Sequence, residues 1–137
     1  MNGRCVLVSN HESYLDGLVL VAALEQPHTF VAKRELQAQF VAGRFLKSLG
    51  AAFVERFDRR RSVADAEQMT SRVKDGAPLL VFPEGTFVAA PGTLPFRLGA
   101  FLAAAHAGVP VIPVSLGGTR QLLGDRRWWP RKADLSV

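Results

Sequence analysis

Short apolar runs alternate along this chain with segments whose apolar residues recur every three or four positions. Residues 4–9 read as a strand, followed by a helix over 13–25 in which Ser13 and Asp16 fit a capping-box-like start. A second strand at 28–32 leads into helical material over 34–49, with a break expected near Gly43, and a third strand covers 51–55. The clearest helix spans 62–74, where Val63, Ala66, Met69 and Val73 recur at helical spacing and Asp75-Gly76 closes the pattern. Residues 78–82 are continuously apolar, as in a strand buried on both faces of a parallel sheet. An apolar helix over 95–107 ends at Gly108. A fifth strand follows at 111–116, where Pro113 predicts a bulge or a sheet edge. This alternation predicts an α/β fold: a single domain with a largely parallel central sheet flanked by helices.

Length and composition agree with that picture. The 137 residues fit one domain able to bury a core, and 48% apolar with 21% charged residues is ordinary globular usage. Seventeen basic residues against twelve acidic ones leave a net charge of +5, which favours anionic partners: phosphorylated metabolites, anionic lipid surfaces or nucleic acid. Nucleic acid fits least, because the basic residues lie mostly singly and no finger spacing or recognition signature accompanies them. The run Arg59-Arg60-Arg61 reads equally as a solvated helix start or a phosphate-facing cluster. The single cysteine, Cys5, excludes an internal disulfide and reads as a small buried hydrophobe. The longest apolar stretches, 15–24 and 98–105, fall short of the ~18–20 residues that span a bilayer.

In parallel sheets, chemistry collects just beyond the carboxyl ends of strands, where His11, Arg56 and Glu84 fall. The run Asn10-His11-Glu12-Ser13-Tyr14-Leu15-Asp16 places an imidazole, suited to take a proton from an alcohol, five residues before a carboxylate able to orient it. Arg56 offers a planar fork of donors for phosphate oxygens, or alternatively a surface salt bridge with Glu55, Asp58 or Glu84. In Phe82-Pro83-Glu84-Gly85-Thr86, proline stops the ladder and glycine permits a tight turn. Glu84 then either points into a cleft to accept from a hydroxyl or is an exposed acid on a strand-end turn. If the chemistry is attack of an alcohol on a thioester, direct attack without a covalent enzyme intermediate is the economical mechanism, because no Gly-x-Ser-x-Gly elbow occurs and the only cysteine is expected to be buried. The lack of a glycine-rich nucleotide loop disfavours nucleotide binding.

Taken together, these blocks make the chain resemble the glycerophospholipid acyltransferases, the group that includes 1-acylglycerol-3-phosphate acyltransferase. The family's Asn-His-x4-Asp block is matched by Asn10, His11 and Asp16. Its aromatic-aliphatic-x-Arg run after a glycine is matched by Gly50, Phe53, Val54 and Arg56. Its Phe-Pro-Glu-Gly-Thr block is matched in full at 82–86, and its apolar run with a proline by 109–114. The resemblance implies transfer of a fatty acyl group from acyl-CoA or acyl-acyl-carrier protein to the free hydroxyl of a lysophospholipid. It implies His11 as base and Asp16 as its partner, Arg56 as a phosphate ligand, and Glu84, Gly85 and Thr86 in the acceptor site. No metal or bound cofactor is implied beyond the thioester donor. The implied setting is the cytoplasmic face of an anionic membrane, peripheral or tethered by segments outside this chain.

The chain departs from the pattern after residue 86, where uncharged Phe87-Val88-Ala89-Ala90 stands in place of serine and basic residues. Arg97 or Lys33 is the expected compensating cation for the acceptor. Two rival readings keep the same pocket: a non-catalytic lipid- or phosphate-binding module, and a thioester hydrolase using the His11–Asp16 pair. His28 and His106 lack acidic neighbours and read as surface or core histidines. The 128–132 run suits either a lipid interface or packing over the sheet edge. The chain opens on its first strand, and 134–137 stop as though another were starting. The expectation is therefore one acyltransferase domain, 1–137, truncated at both ends and open to fusion with further domains.

Overall fold

The computed structural model describes residues 3–24, 28–38, 40–48, 50–54, 59–76, 78–124 and 129–137. Within these the apolar runs become strands β1 (Val6–Ser9), β2 (Thr29–Lys33), β3 (Ala52–Val54), β4 (Leu79–Val81) and β5 (Val111–Val114). The periodic segments become helices α1 (Asp16–Ala23), α2 (Phe40–Ser48), α3 (Arg59–Lys74), α4 (Gly99–Ala107) and α5 (Thr119–Leu123), with a 3₁₀ helix at Arg34–Ala38. The strands form one sheet in the order β3-β2-β4-β1-β5, every pair parallel.

Because successive strand residues point to opposite faces, a strand that is apolar throughout must be covered on both. Val6, Val8, Val31, Leu79 and Val81 turn one way and pack on Met69 and Val73 of α3 and on Ala100, Ala103 and Ala104 of α4. Phe30, Ala32 and Leu80, with Leu7 and Phe82, turn the other way onto Leu20 of α1 and Leu46 of α2. The alanines let α4 lie close to the sheet. Cys5 joins the buried residues, and its burial pushes the thiol up, as expected for a small hydrophobe.

Strand order decides where a site can form. From β1 the chain leaves through α1 towards β2, and from β4 it leaves through α4 towards β5 at the opposite edge. Adjacent strands whose connections depart in opposite directions leave a crevice beyond their carboxyl ends. Here that crevice lies between β1 and β4, the two strands that lead into His11 and Glu84.

Several expectations need correction. The break expected at Gly43 does not occur there: Gly43 lies inside α2, buried against the preceding 3₁₀ helix. A Cβ at Gly43 would stand 2.5 Å from the Gln37 carbonyl oxygen and 2.9 Å from that of Leu36, so the glycine permits close contact rather than a bend. Helix α4 begins at Gly99, not 95; the preceding residues belong to the turn region after β4, where the Leu94 amide donates to Glu84 and the Arg97 amide to the Pro83 carbonyl. The start of α1 is capping-box-like as expected, though shifted: the Ser13 amide donates to Asp16 Oδ2 (2.9 Å) and Ser13 Oγ accepts from the Leu15 amide (3.1 Å), while Leu15 rather than Ser13 is the N-cap residue. Of the two expectations for Pro113 the edge one holds: β5 is an edge strand and pairs in unbroken register with β1, with no bulge. Helix α5 went unpredicted, and residue 136 does bridge antiparallel to Gly117.

Replacing Gly43 with alanine is expected to lower stability by ~1–2 kcal/mol, because overpacking against two carbonyls outweighs the gain in helix propensity. Urea unfolding would register this as a lower midpoint at unchanged slope.

Candidate active site

Beyond Ser9 the chain leaves β1 in a loop, with a turn at residues 14–15, before α1 begins at Asp16. Asp16 is fully buried, and a buried carboxylate must find donors or carry a large desolvation cost. It finds three on one oxygen: Oδ2 accepts from the amides of Glu12 (2.6 Å) and Ser13 (2.9 Å), and His11 Nδ1 stands 2.7 Å away. The short loop thus folds back over its own helix start. With a carboxylate oxygen at Nδ1, that nitrogen is the protonated one in the neutral ring, and Nε2 keeps its lone pair.

Two aromatic rings hold the imidazole in place. Phe82, at the end of β4, stacks on it with ring centroids 4.3 Å apart and planes 17° apart, and Phe87 meets it edge-on at 4.7 Å. Tyr14 in turn packs edge-on against Phe87. The His11 side chain is 20% exposed, so the ring is gripped but still reachable.

Glu84 is not the exposed acid that one reading of the turn gave. It is 4% exposed, and both carboxylate oxygens are taken by main-chain donors: Oε1 by the His11 amide (2.9 Å) and Oε2 by the Leu94 amide (2.5 Å). It therefore staples the loop after β1 to the loop after β4. The turn that aims it is closed by the Gly85 amide donating to the Phe82 carbonyl, with Gly85 at φ 79°, where a side chain would be strained.

The remaining predicted residues lie as follows. Gly85 is buried in that turn, and Thr86 just beyond it is exposed. Arg97 is exposed and joins the same turn through its amide, which donates to the Pro83 carbonyl at 2.8 Å. Lys33 ends β2, paired with Val54 of β3. Arg56, with its alternative partners Glu55 and Asp58, lies outside the described residues, as do the side chains of Arg59–Arg61 and all of Trp128. His28 packs edge-on against Phe30, and His106 is exposed in the last turn of α4. Trp129 is 72% exposed.

The sequence pattern assigned no task at the site to Asn10, Phe82, Phe87 or Arg120, and only a capping one to Ser13. The Asn10 amide group exchanges two hydrogen bonds with the main chain of Leu116 (2.9 and 2.7 Å), pinning the His11 loop to the end of β5. Ser13 Oγ donates to the Leu123 carbonyl of α5. The aromatic residues at 82 and 87 were visible signals, since they flank the turn directly. Nothing in the sequence linked Arg120 to the site.

Residues 1–117 match the family model described as Acyltransferase. The chain is 38% identical over 119 residues to the chloroplastic 1-acyl-sn-glycerol-3-phosphate acyltransferase BAT2 of Brassica napus, covering 87% of this chain and 34% of that one. It is 34% identical over 127 residues to the 1-acyl-sn-glycerol-3-phosphate acyltransferase of Haemophilus influenzae, covering 91% and 52%. Among solved structures, the 1-acyl-sn-glycerophosphate acyltransferase PlsC of Thermotoga maritima superposes with a TM-score of 0.75 at 27% identity, covering 98% of this chain and 53% of that one. The chain thus spans between a third and about half the length of these relatives. With residues 1–117 matched by the family model and most of the chain matched by such relatives, this chain belongs to the acyltransferase family.

Proposed function

We propose that the protein transfers a fatty acyl group from an acyl thioester, acyl-CoA or acyl-acyl-carrier protein, to the free hydroxyl of a lysophospholipid, 1-acylglycerol-3-phosphate. The observation that carries the reading is the His11 ring, gripped between Phe82 and Phe87 with Nδ1 on buried Asp16. Nε2 takes the hydroxyl proton as the oxygen attacks the thioester carbonyl. The tetrahedral intermediate collapses with loss of the thiolate, which recovers that proton from His11. Asp16 holds the tautomer and steadies the charged ring. Glu84 acts through the main chain, fixing where His11 stands. Gly85, Thr86 and Arg97 line the acceptor side of the turn, and Arg56 is assigned to the phosphate by the family pattern.

Relatives named as lysophosphatidate acyltransferases support the acceptor. An apolar strip beside the site supports a lipid surface as partner. Tyr14, Leu18 and Val21 recur at helical spacing on and just before α1 and are 64%, 45% and 39% exposed. Among the described residues no helix is long and apolar enough to cross a membrane.

Free-thiol release from a long-chain acyl-CoA, measured with and without lysophosphatidate, tests the assignment. Acceptor-dependent release is expected. Acceptor-independent release would favour a thioester hydrolase, and no release would favour a binding module. His11→Ala is expected to abolish transfer in a folded protein, and Asp16→Asn to lower kcat by ~10²–10⁴-fold. A folded His11→Ala protein with full activity would contradict the assignment.

Glu84→Gln places an amide NH₂ against a main-chain N–H. The variant is expected to lose ~1–3 kcal/mol of stability and to reduce kcat more than it raises the acceptor KM. A change confined to acceptor KM would instead make Glu84 an acceptor ligand.

A further inference from the structure

Arg120 stands between the two loops that form the mouth of the site, although it lies far along the chain from both. Its Nη1 donates to three successive carbonyls, those of Val88 (2.9 Å), Ala89 (3.0 Å) and Ala90. Its Nη2 faces Glu12 Oε1 at 3.5 Å. One guanidinium therefore joins the segment after Thr86 to the residue next to His11. Three carbonyls turned to one point form a focus of negative charge that suits a cation. A planar fork can serve that focus and a carboxylate together, whereas a single ammonium reaches only one of them.

The strapped segment matters because of what it carries. Phe87 immediately precedes it and supplies the edge-on wall of the His11 ring, and Tyr14 packs behind Phe87. The far end of the same segment is held by Glu84 through the Leu94 amide. Helix α5 is itself tied to the His11 loop, by Ser13 on the Leu123 carbonyl and by Asn10 on Leu116 just before the helix. Arg120 is thus a strut from a fixed base to a loop with no regular secondary structure.

We propose that Arg120 is a positioning residue that straps residues 87–90 over His11 and so keeps water from the thioester while the alcohol attacks. This rests on the acyltransferase reading above. In the side reaction, a water oxygen forms the new bond to the acyl carbon and the carbon–sulfur bond breaks. The proton from water passes through His11 to the departing thiolate, leaving a fatty acid and a free thiol. In transfer, the glycerol oxygen takes the place of water. A loosened Phe87 wall both frees the ring and opens this competing path, so the ratio of hydrolysis to transfer reports on the strap.

The test uses the full chain with Arg120→Gln, Arg120→Lys and Glu12→Gln. It reads amide hydrogen exchange together with thiol release from acyl-CoA in the presence and absence of lysophosphatidate. For Arg120→Gln, faster exchange across 87–94 is expected with strand amides unchanged. Transfer kcat is expected to fall about tenfold, with a smaller change in KM, and the hydrolysis-to-transfer ratio to rise at least threefold. Arg120→Lys, which keeps a cation for the carbonyls, is expected to recover the exchange protection and part of the rate. Glu12→Gln changes the ratio in the same direction by less, and it supplies the comparison if Arg120→Gln does not fold. Unchanged exchange across 87–94, or an unchanged ratio, overturns the proposal. If the wild-type chain releases no thiol, the acyltransferase reading fails and the water-exclusion role fails with it. The exchange pattern then still decides whether Arg120 straps the loop.

Discussion

A single carboxylate oxygen, Asp16 Oδ2, organises the site. It is buried, and it takes its hydrogen bonds from two main-chain amides of the preceding loop and from one imidazole nitrogen. Burial makes those bonds costly to lose, the more so because they all fall on Oδ2 while the buried Oδ1 has no hydrogen-bond partner. The start of α1, the fold-back of residues 11–13 and the orientation of the His11 ring are consequently one event. The two amides hold the carboxylate so that the imidazole is aligned before any substrate arrives, which is where preorganised catalysis gains most.

The two acids of the site divide the work of placing His11. Asp16 acts on the ring and Glu84 on the main chain, and each is almost wholly removed from solvent. Glu84 also reaches Leu94, so the segment that returns across the mouth is anchored by the same side chain that fixes the base. Asn10 and Ser13 extend the arrangement to β5 and α5. Every residue from Asn10 to Ser13 therefore has a side-chain or main-chain bond to another part of the fold, and a stretch without regular secondary structure is held rigid from several directions.

This convergence depends on the sheet. Parallel strands put all their carboxyl ends on one side, and the order β3-β2-β4-β1-β5 makes neighbours of β1 and β4, which are distant in sequence. Connections leaving in opposite directions keep the crevice between these strands open, with α1 and α2 on one face and α3 and α4 on the other. Phe82 belongs to both systems: it packs with the α1 face of the core and stacks on His11, so core packing extends directly into the site.

Residue pattern alone determined the α/β class, the five strands and the pairing of His11 with Asp16. Strand runs are local properties, and a five-residue spacing keeps His11 and Asp16 near enough to meet. It also placed Glu84 and Gly85 at a strand-end turn, because proline and glycine restrict the main chain wherever they stand. Local pattern misjudged Gly43, whose constraint is a carbonyl in the neighbouring 3₁₀ helix, and the start of α4, before which the Leu94 and Arg97 amides donate to Glu84 and Pro83. Only the tertiary structure decided that Glu84 serves the main chain, that Phe87 walls the imidazole and that Arg120 reaches both loops. Each of these depends on which strands become neighbours, and strand order is set by the packing of two faces rather than by any single segment.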